Sequence, residues 1–538
     1  MMKLRFSYGN SYRSLAFLII IMMIIMAGCA GGANNKSSSK TSTLVIAMSA
    51  SNLPVADSSP TEGAEGWRFV GFQLYDGMAR FNLRQGEKPA DIEPGLAESW
   101  EVSKDDTTLW TFHLRKNVTF HDGNPFNADA VIFAMDRILK KDSQYYSAQT
   151  AAGILIYLKY IESYNKLDDY TVQIKTKKPY SFLPYDIPFI AIPSPEAVKK
   201  YGKEFPNHPS GTGPFKFVSM QQGQEFVMEK NDKYWGSIPK VDKVILRPVP
   251  DSSARLAALQ SGQVNWAEIP PPESVGKLKS SGFQVFLNNY PHIWPYVLNL
   301  KEGPWSDKRV RQAANFAIDR EGLSKSLLNG VAAPAVQLVY SGHQWFNDKA
   351  IKYTYDPEKS KKMLAEAGYP NGFQTTFLVP TSGSGNMWPL PMNEFVQKNL
   401  KAVGIDVKIE ALEWQTLLTQ YRAGFPAGKE VGAYNISLGF AFPSIFERFF
   451  ATSSILPNGS NIGLYSSPAY DDLLSKARQS FNTSERDAFL KEAAGIIAED
   501  APWLFVVHDL NLRVLSPNVK GFIQPQSWYA DLTSIHID

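Results

Sequence analysis

Cys29 is the single cysteine of the 538-residue chain, so no disulfide can form within it. The other residue types that could do chemistry are scattered. Seven histidines stand at 113, 121, 208, 292, 343, 508 and 536, and no pair has the HxH or HExxH spacing that sets two imidazoles on one metal ion. No GxSxG elbow presents a serine nucleophile. Adjacent acids such as Asp471 and Asp472 fall at a helix start, where negative charge complements the helix dipole. No metal and no cofactor is implied. The chemistry on offer is acylation at Cys29 and non-covalent recognition.

The residues before Cys29 favour acylation. Lys3, Arg5 and Arg13 form a positive start, and residues 15–27 are an unbroken apolar run of 13 residues. That is the layout of a secretory signal and is short for a membrane span. The ending Met26-Ala27-Gly28-Cys29 resembles a lipobox, in which the thiol is acylated and becomes the new N-terminus. An uncleaved anchor helix is the alternative. Residues 30–42, rich in Gly, Ser and Asn, read as a flexible tether. Each buried CH2 of an acyl chain adds about 0.8 kcal/mol of membrane affinity, so two or three chains hold a protein firmly.

Without Lys3, Arg5 and Arg13, the 55 basic residues fall to 52, against 52 acidic ones. A near-neutral body with no basic stripe does not ask for nucleic acid. Twelve Trp, 24 Tyr and 32 Phe can fill cores or line a pocket. About 500 residues should split into at least two domains. A secreted, aromatic-rich glycoside hydrolase with two carboxylates across a cleft is the enzymatic alternative.

The elements that must position any site read as mixed α/β. Thr43–Met48 (TLVIAM) is a first strand, and Trp110, Phe112 and Leu114 alternate along another. Asn127 caps a helix that buries Val131, Met135, Ile138 and Leu139 on one face. Two alternating runs around Gln222-Gly223 form a hairpin. Residues 307–330 are helical with a break near Asp319. Asp356, Pro357 and Gly368 mark both ends of a helix. Residues 471–478 and 485–499 are amphipathic helices, and 407–411, 433–440 and 504–507 are strands. No internal repeat is present.

Residues 111–138, TFHLRKNVTFHDGNPFNADAVIFAMDRI, resemble the signature of family 5 extracellular solute-binding proteins, the oligopeptide- and dipeptide-binding lipoproteins of ABC importers. The matching residues are Phe112, Leu114, Arg115, Lys116, Val118, Phe120, His121, Asp122, Gly123 and Arg137. Ala128-Asp129-Ala130-Val131 departs mildly from the family's Ala-Glu-Asp-Val. Further matches are residues 211–214 (GTGP), 234–236 (YWG), 307–313 (DKRVRQA), 317–320 (AIDR) and 356–370 (DPEKSKKMLAEAGYP), in the family's order over nearly all of 43–538. These signature residues read as structural: Asp122-Gly123 as a turn, Gly213-Pro214 as a strand entry, and Arg311 or Asp319 as ties between helices.

The resemblance implies an α/β fold, two-lobed and periplasmic-binding-protein-like (type II, cluster C), with an extra subdomain and a ligand cleft between the lobes. Mapped onto this chain, 1–28 is the lipoprotein signal peptide and 29–42 the tether. Residues 43–83, 206–293 and 503–538 form lobe I, 84–205 the extra subdomain, and 294–502 lobe II. It implies capture rather than catalysis: a monomer binds a small solute, peptide or sugar, and delivers it to an ABC permease and its ATPase. A lipid anchor at Cys29 would hold it outside the cytoplasmic membrane, on the outer face in a Gram-positive cell and on the periplasmic side otherwise.

Peptide binders of the family hold the peptide's amino terminus with an Asp that follows a Gly-Trp-like stretch. Here the corresponding stretch is 438–447 (LGFAFPSIFE), and Phe442, Pro443 or Ser444 stands where that Asp is expected. Glu447 is the nearest acid. An aromatic gorge of Trp294, Trp345, Trp388, Phe440 and Phe442 would suit a sugar or an apolar group by stacking. By position, Asn52, Trp67, Tyr145 and Tyr146 are further ligand candidates. Trp414 reads as packing.

Overall fold

Runs of Val, Ile and Leu with no polar face demand strands covered on both sides. Thr43–Met48 is such a run and lies at the heart of a seven-stranded sheet. In the computed structural model, which describes residues 41–428 and 430–538, the order of this sheet is Gln284–Phe286, Arg513–Leu515, Trp266–Glu268, Thr43–Met48, Lys243–Pro248, Glu225–Lys230, Phe215–Gln221. Thr43–Met48 runs parallel to both its neighbours. The hairpin turns at Gly223, whose φ of 73° is open to glycine at little cost.

A second sheet is built around His292–Leu298, a strand buried at every position. Its order is Ala332–Pro334, Trp503–Asp509, His292–Leu298, Val431–Asn435, Phe373–Pro380, Ile405–Leu412. Two points differ from the sequence reading. Trp503–Asp509, grouped above with lobe I, pairs antiparallel with His292–Leu298 and Ala332–Pro334 in this second sheet. Its seven residues are all buried, and a run without a polar face needs a central place. The chain returns to the first sheet only at Arg513–Leu515. The strand expected over 433–440 is broken into Val431–Asn435 and Leu438–Gly439. Pro295 of the partner strand explains the break, because it has no N–H to give the ladder. The Asn435 side chain instead donates to the Pro295 carbonyl at 3.0 Å.

A four-stranded antiparallel sheet orders Ala97–Val102, Leu109–Leu114, Thr171–Thr176 and Ile161–Asp168. Helix Ala128–Leu139 packs against it, capped by Asn127 as read from the sequence. The break near Asp319 is present: Lys308–Phe316 ends, and Asp319 caps the next turn through the Gly322 N–H at 2.8 Å. Asp356 accepts from the Lys359 N–H to start Pro357–Glu366. Arg311 donates to the carbonyls of Trp305, Ser306, Asp500 and Ala501, which ties a helix to the end of Thr483–Asp500.

Candidate functional site

Where groups from the two large sheets meet, aromatic rings from distant parts of the chain converge. Trp67 and Phe72 come from a helical segment, Gly63–Leu74 in three pieces, with a π turn at Trp67–Gly71. Such bulges re-aim side chains and are frequent at functional sites. Gly71 gives the Trp67 ring its room, since a Cβ there would lie 2.6 Å from it. Trp67 packs on Phe189 at 5.3 Å, and Phe72 on Tyr529 at 4.8 Å. Phe81 lies 5.5 Å from Tyr529, and Tyr157 stacks on Phe189 at 4.6 Å. Phe442 closes the group from the side of the second sheet, 5.2 Å from Phe189, 5.9 Å from Tyr157 and 6.0 Å from Phe81.

Polar contacts cross the same seam. Ser51 and Ser382 approach to 3.4 Å through their hydroxyls. Gln415, on helix Trp414–Ala423, donates to Glu62 at 2.9 Å. Loop 382–388 lies against Trp414, and Gly383 (φ 108°) admits that ring where a Cβ would come within 2.4 Å. Ser437 donates to the Ser384 carbonyl at 2.6 Å. Burial pushes the Glu62 carboxyl up to about 7, with Glu65 and Glu413 adding to the rise and Gln415 and Asn52 opposing it.

The crossings between the sheets carry a buried network. Tyr290 donates to Asp509 at 2.7 Å and stacks on His292. The His292 ring lies 3.2 Å from Asp509 but is not aligned for a hydrogen bond. Burial holds His292 well below the usual imidazole range, which keeps it neutral, and raises Asp509 to about 6. The Trp528 carbonyl is held by Arg68 at 2.6 Å and Arg513 at 3.0 Å, and both guanidiniums also pair with Glu268. The Trp528 ring rests on His292 at 4.5 Å. Trp528 thus links the first sheet's charged pairs to the second sheet's central strand.

The residues singled out from sequence divide. Trp67 and Phe442 meet in the aromatic cluster, both against Phe189. Asn52 is exposed and lies beside Glu62. Phe440 is fully buried among Phe446, Phe449, Phe450 and Trp503, so it is second-sheet core rather than gorge lining. Trp294 is fully buried against Tyr296, and Trp345 packs on Phe446 and donates to Asp487. Trp388 starts helix Pro389–Lys401, half-buried on the second core. Tyr145 packs on Phe133 and Tyr146 on the neighbouring core, and neither has a ring contact with the cluster. The five-ring gorge is therefore not formed. Glu447 is buried with its carboxylate 3.1 Å from Lys159 and 3.5 Å from Arg478, and it accepts from the Tyr160 hydroxyl. It faces a cavity of about 660 Å³ bordered by Lys159, Lys177, Lys178 and Arg478. Cys29 lies outside the described residues.

Sequence reasoning missed Glu62, Tyr157, Phe189, Gln415 and Tyr529. Nothing in their spacing marks them, because the contacts join residues up to hundreds of positions apart. Among the described residues no group of three or more His, Cys, Asp or Glu could hold a metal ion, and no helix is long and apolar enough to cross a membrane.

Two α/β bodies meeting over an aromatic and polar seam define the class of two-lobed solute binders. Residues 91–444 match the profile of bacterial extracellular solute-binding proteins, family 5 Middle. Heme-binding protein A of Haemophilus influenzae is 32% identical over 488 residues, which is 87% of each chain. Glutathione-binding protein GsiB of Pectobacterium atrosepticum is 32% identical over 484 residues, 86% of this chain and 89% of that one. The Helicobacter pylori ABC transporter-associated periplasmic binding protein DppA, solved with the peptide STSA, superposes with a TM-score of 0.82 at 29% identity, covering 92% of this chain and 98% of that one. The chain belongs to the family 5 extracellular solute-binding proteins.

Proposed function

We propose that this protein captures a peptide-like solute between its two lobes and delivers it to the permease of an ABC importer, whose ATPase supplies the energy. It performs no reaction on the cargo. Acyl chains on Cys29 hold it at the outer face of the cytoplasmic membrane. The observation that carries this reading is the seam itself, where Phe442 and Gln415 from one side meet Phe189, Phe81 and Glu62 from the other. A solute that touches both sides binds the closed arrangement better than the open one, and only that difference drives closure. The peptide held by the Helicobacter pylori relative supports the ligand class. Aromatic surface can bury apolar side chains, while hydroxyl, amide and carboxylate groups can meet peptide polar atoms.

The test is a tryptophan-fluorescence titration with a random tetrapeptide mixture. Trp67 and Trp528 lie at the seam, so closure on a peptide changes their emission and saturates. A flat titration contradicts the reading.

A further inference from the structure

Glu62 is a carboxylate enclosed at the seam, one of whose two oxygens lacks an aligned hydrogen bond. It is 4% exposed. One oxygen accepts from Gln415 at 2.9 Å; the other is buried and has no aligned hydrogen bond among the described residues, with the exposed amide of Asn52 as its polar neighbour. The charged groups that bear on it most, Glu65 and Glu413, are both acidic. The residue also sits in the left-handed region, at φ 65°, which a non-glycine side chain adopts at some cost. A buried carboxylate without a cationic partner is strongly unfavourable and is relieved by pairing. Loop 382–388 carries two further buried oxygens without a partner, Ser384 Oγ and Asn386 Oδ1, on either side of Gly385, which lies against Trp528 and His292. That loop reaches the Glu62 side of the seam through the contact of Ser382 with Ser51.

We propose that Glu62 holds a primary ammonium of the captured solute, with Gln415 fixing the carboxylate from the second lobe. An ammonium has three donors and no acceptor, which matches a site short of donors and of positive charge. This inference rests on the peptide-capture reading and supplies an acid for a stretch, 438–447, whose own acid is engaged by Lys159 and Arg478. Burial raises the free carboxyl to about 7, so the site loses its solute as pH falls below that value, and an α-ammonium is lost from it again above about pH 8 as the amine itself deprotonates. Binding below pH 7 therefore expels a proton.

The experiment is equilibrium dialysis of the whole chain against three probes, read by mass spectrometry. They are a lysine-free random tetrapeptide mixture, its N-acetylated form, and an N-acetylated mixture containing lysine. The expected result is that the free-amine mixture is retained at least about 10-fold better than its acetylated form, equivalent to about 1.4 kcal/mol. Glu62→Gln should abolish that preference and flatten the decline below pH 7. Retention of the acetylated lysine mixture would assign the ammonium to a side chain rather than to the amino terminus. Equal retention of free and acetylated lysine-free mixtures, with the lysine mixture no better, overturns the role of Glu62 and leaves peptide capture standing. A Glu62→Gln protein that keeps the preference does the same. Retention of no mixture overturns peptide capture and this inference with it. A readout that needs no variant is calorimetry at pH 6.5 in two buffers of different ionisation enthalpy. Release of roughly three-quarters of a proton per peptide, the share that a group titrating near 7 holds at pH 6.5, supports the proposal, and no release overturns it.

Discussion

Glu447→Gln separates two roles that an acid near the seam could play. The carboxylate is buried and lies between Lys159 at 3.1 Å and Arg478 at 3.5 Å, with the Tyr160 hydroxyl as a third partner. Removing one partner of a buried ion pair leaves the other charge uncompensated, at about 3–5 kcal/mol. The adjoining cavity of about 660 Å³ and the partly exposed Lys159 admit water, which places this site at the lower end, about 3 kcal/mol. Unfolding entropy near 60 °C is about 2.1 cal/mol/K per residue, so about 500 residues give about 1 kcal/mol/K and a fall in midpoint of about 3 °C. Thermal denaturation at pH 7 reads that fall, and peptide titration of the same variant reads affinity. The expected outcome is lost stability with unchanged affinity, because the partners of Glu447 belong neither to the ring cluster nor to the Glu62 contact. An unchanged midpoint with affinity lowered by 100-fold or more would refute this reasoning and make Glu447 the solute's anchor.

Phe442→Ala removes three ring contacts at the seam, each worth about 0.5–1.5 kcal/mol, and should weaken peptide binding by about 10-fold or more in a fluorescence titration. Asp509 has a folded-state pKa raised from 3.8 to about 6, so its contribution favours the fold at low pH and is lost as pH rises through 6, by about 3 kcal/mol. Melts of wild type and Asp509→Asn at pH 4.5 and pH 7.5 should therefore show the wild type losing ground to the variant at the higher pH. Cys29→Ser should move the protein from the membrane fraction to the soluble fraction. Retention in the membrane fraction would mean that the apolar run before it acts as an uncleaved helix.

Much of the fold was legible because local chemistry announced it. Asn127 and Asp356 cap helices at the positions their sequence context indicates, the helical run breaks near Asp319, and Gly223 turns its hairpin. Of the residues singled out for ligand, Trp67 and Phe442 lie in the ring cluster at the seam. Trp294, Trp345 and Phe440 misled because an aromatic side chain serves a core as readily as a pocket, and composition does not distinguish the two. Glu62 was hidden for the opposite reason. It is an ordinary acid in a polar loop until Gln415, 353 positions away, encloses it. The break after Asn435 is equally non-local, since it is set by a proline in the neighbouring strand.

The central claim is that the lobes close on a peptide-like solute. It is tested most directly by purifying the protein from its native host, denaturing it, and identifying the released small molecules by mass spectrometry. The account predicts a family of short peptides with free amino groups. Release of a sugar or another amine-free solute as the retained species would contradict it.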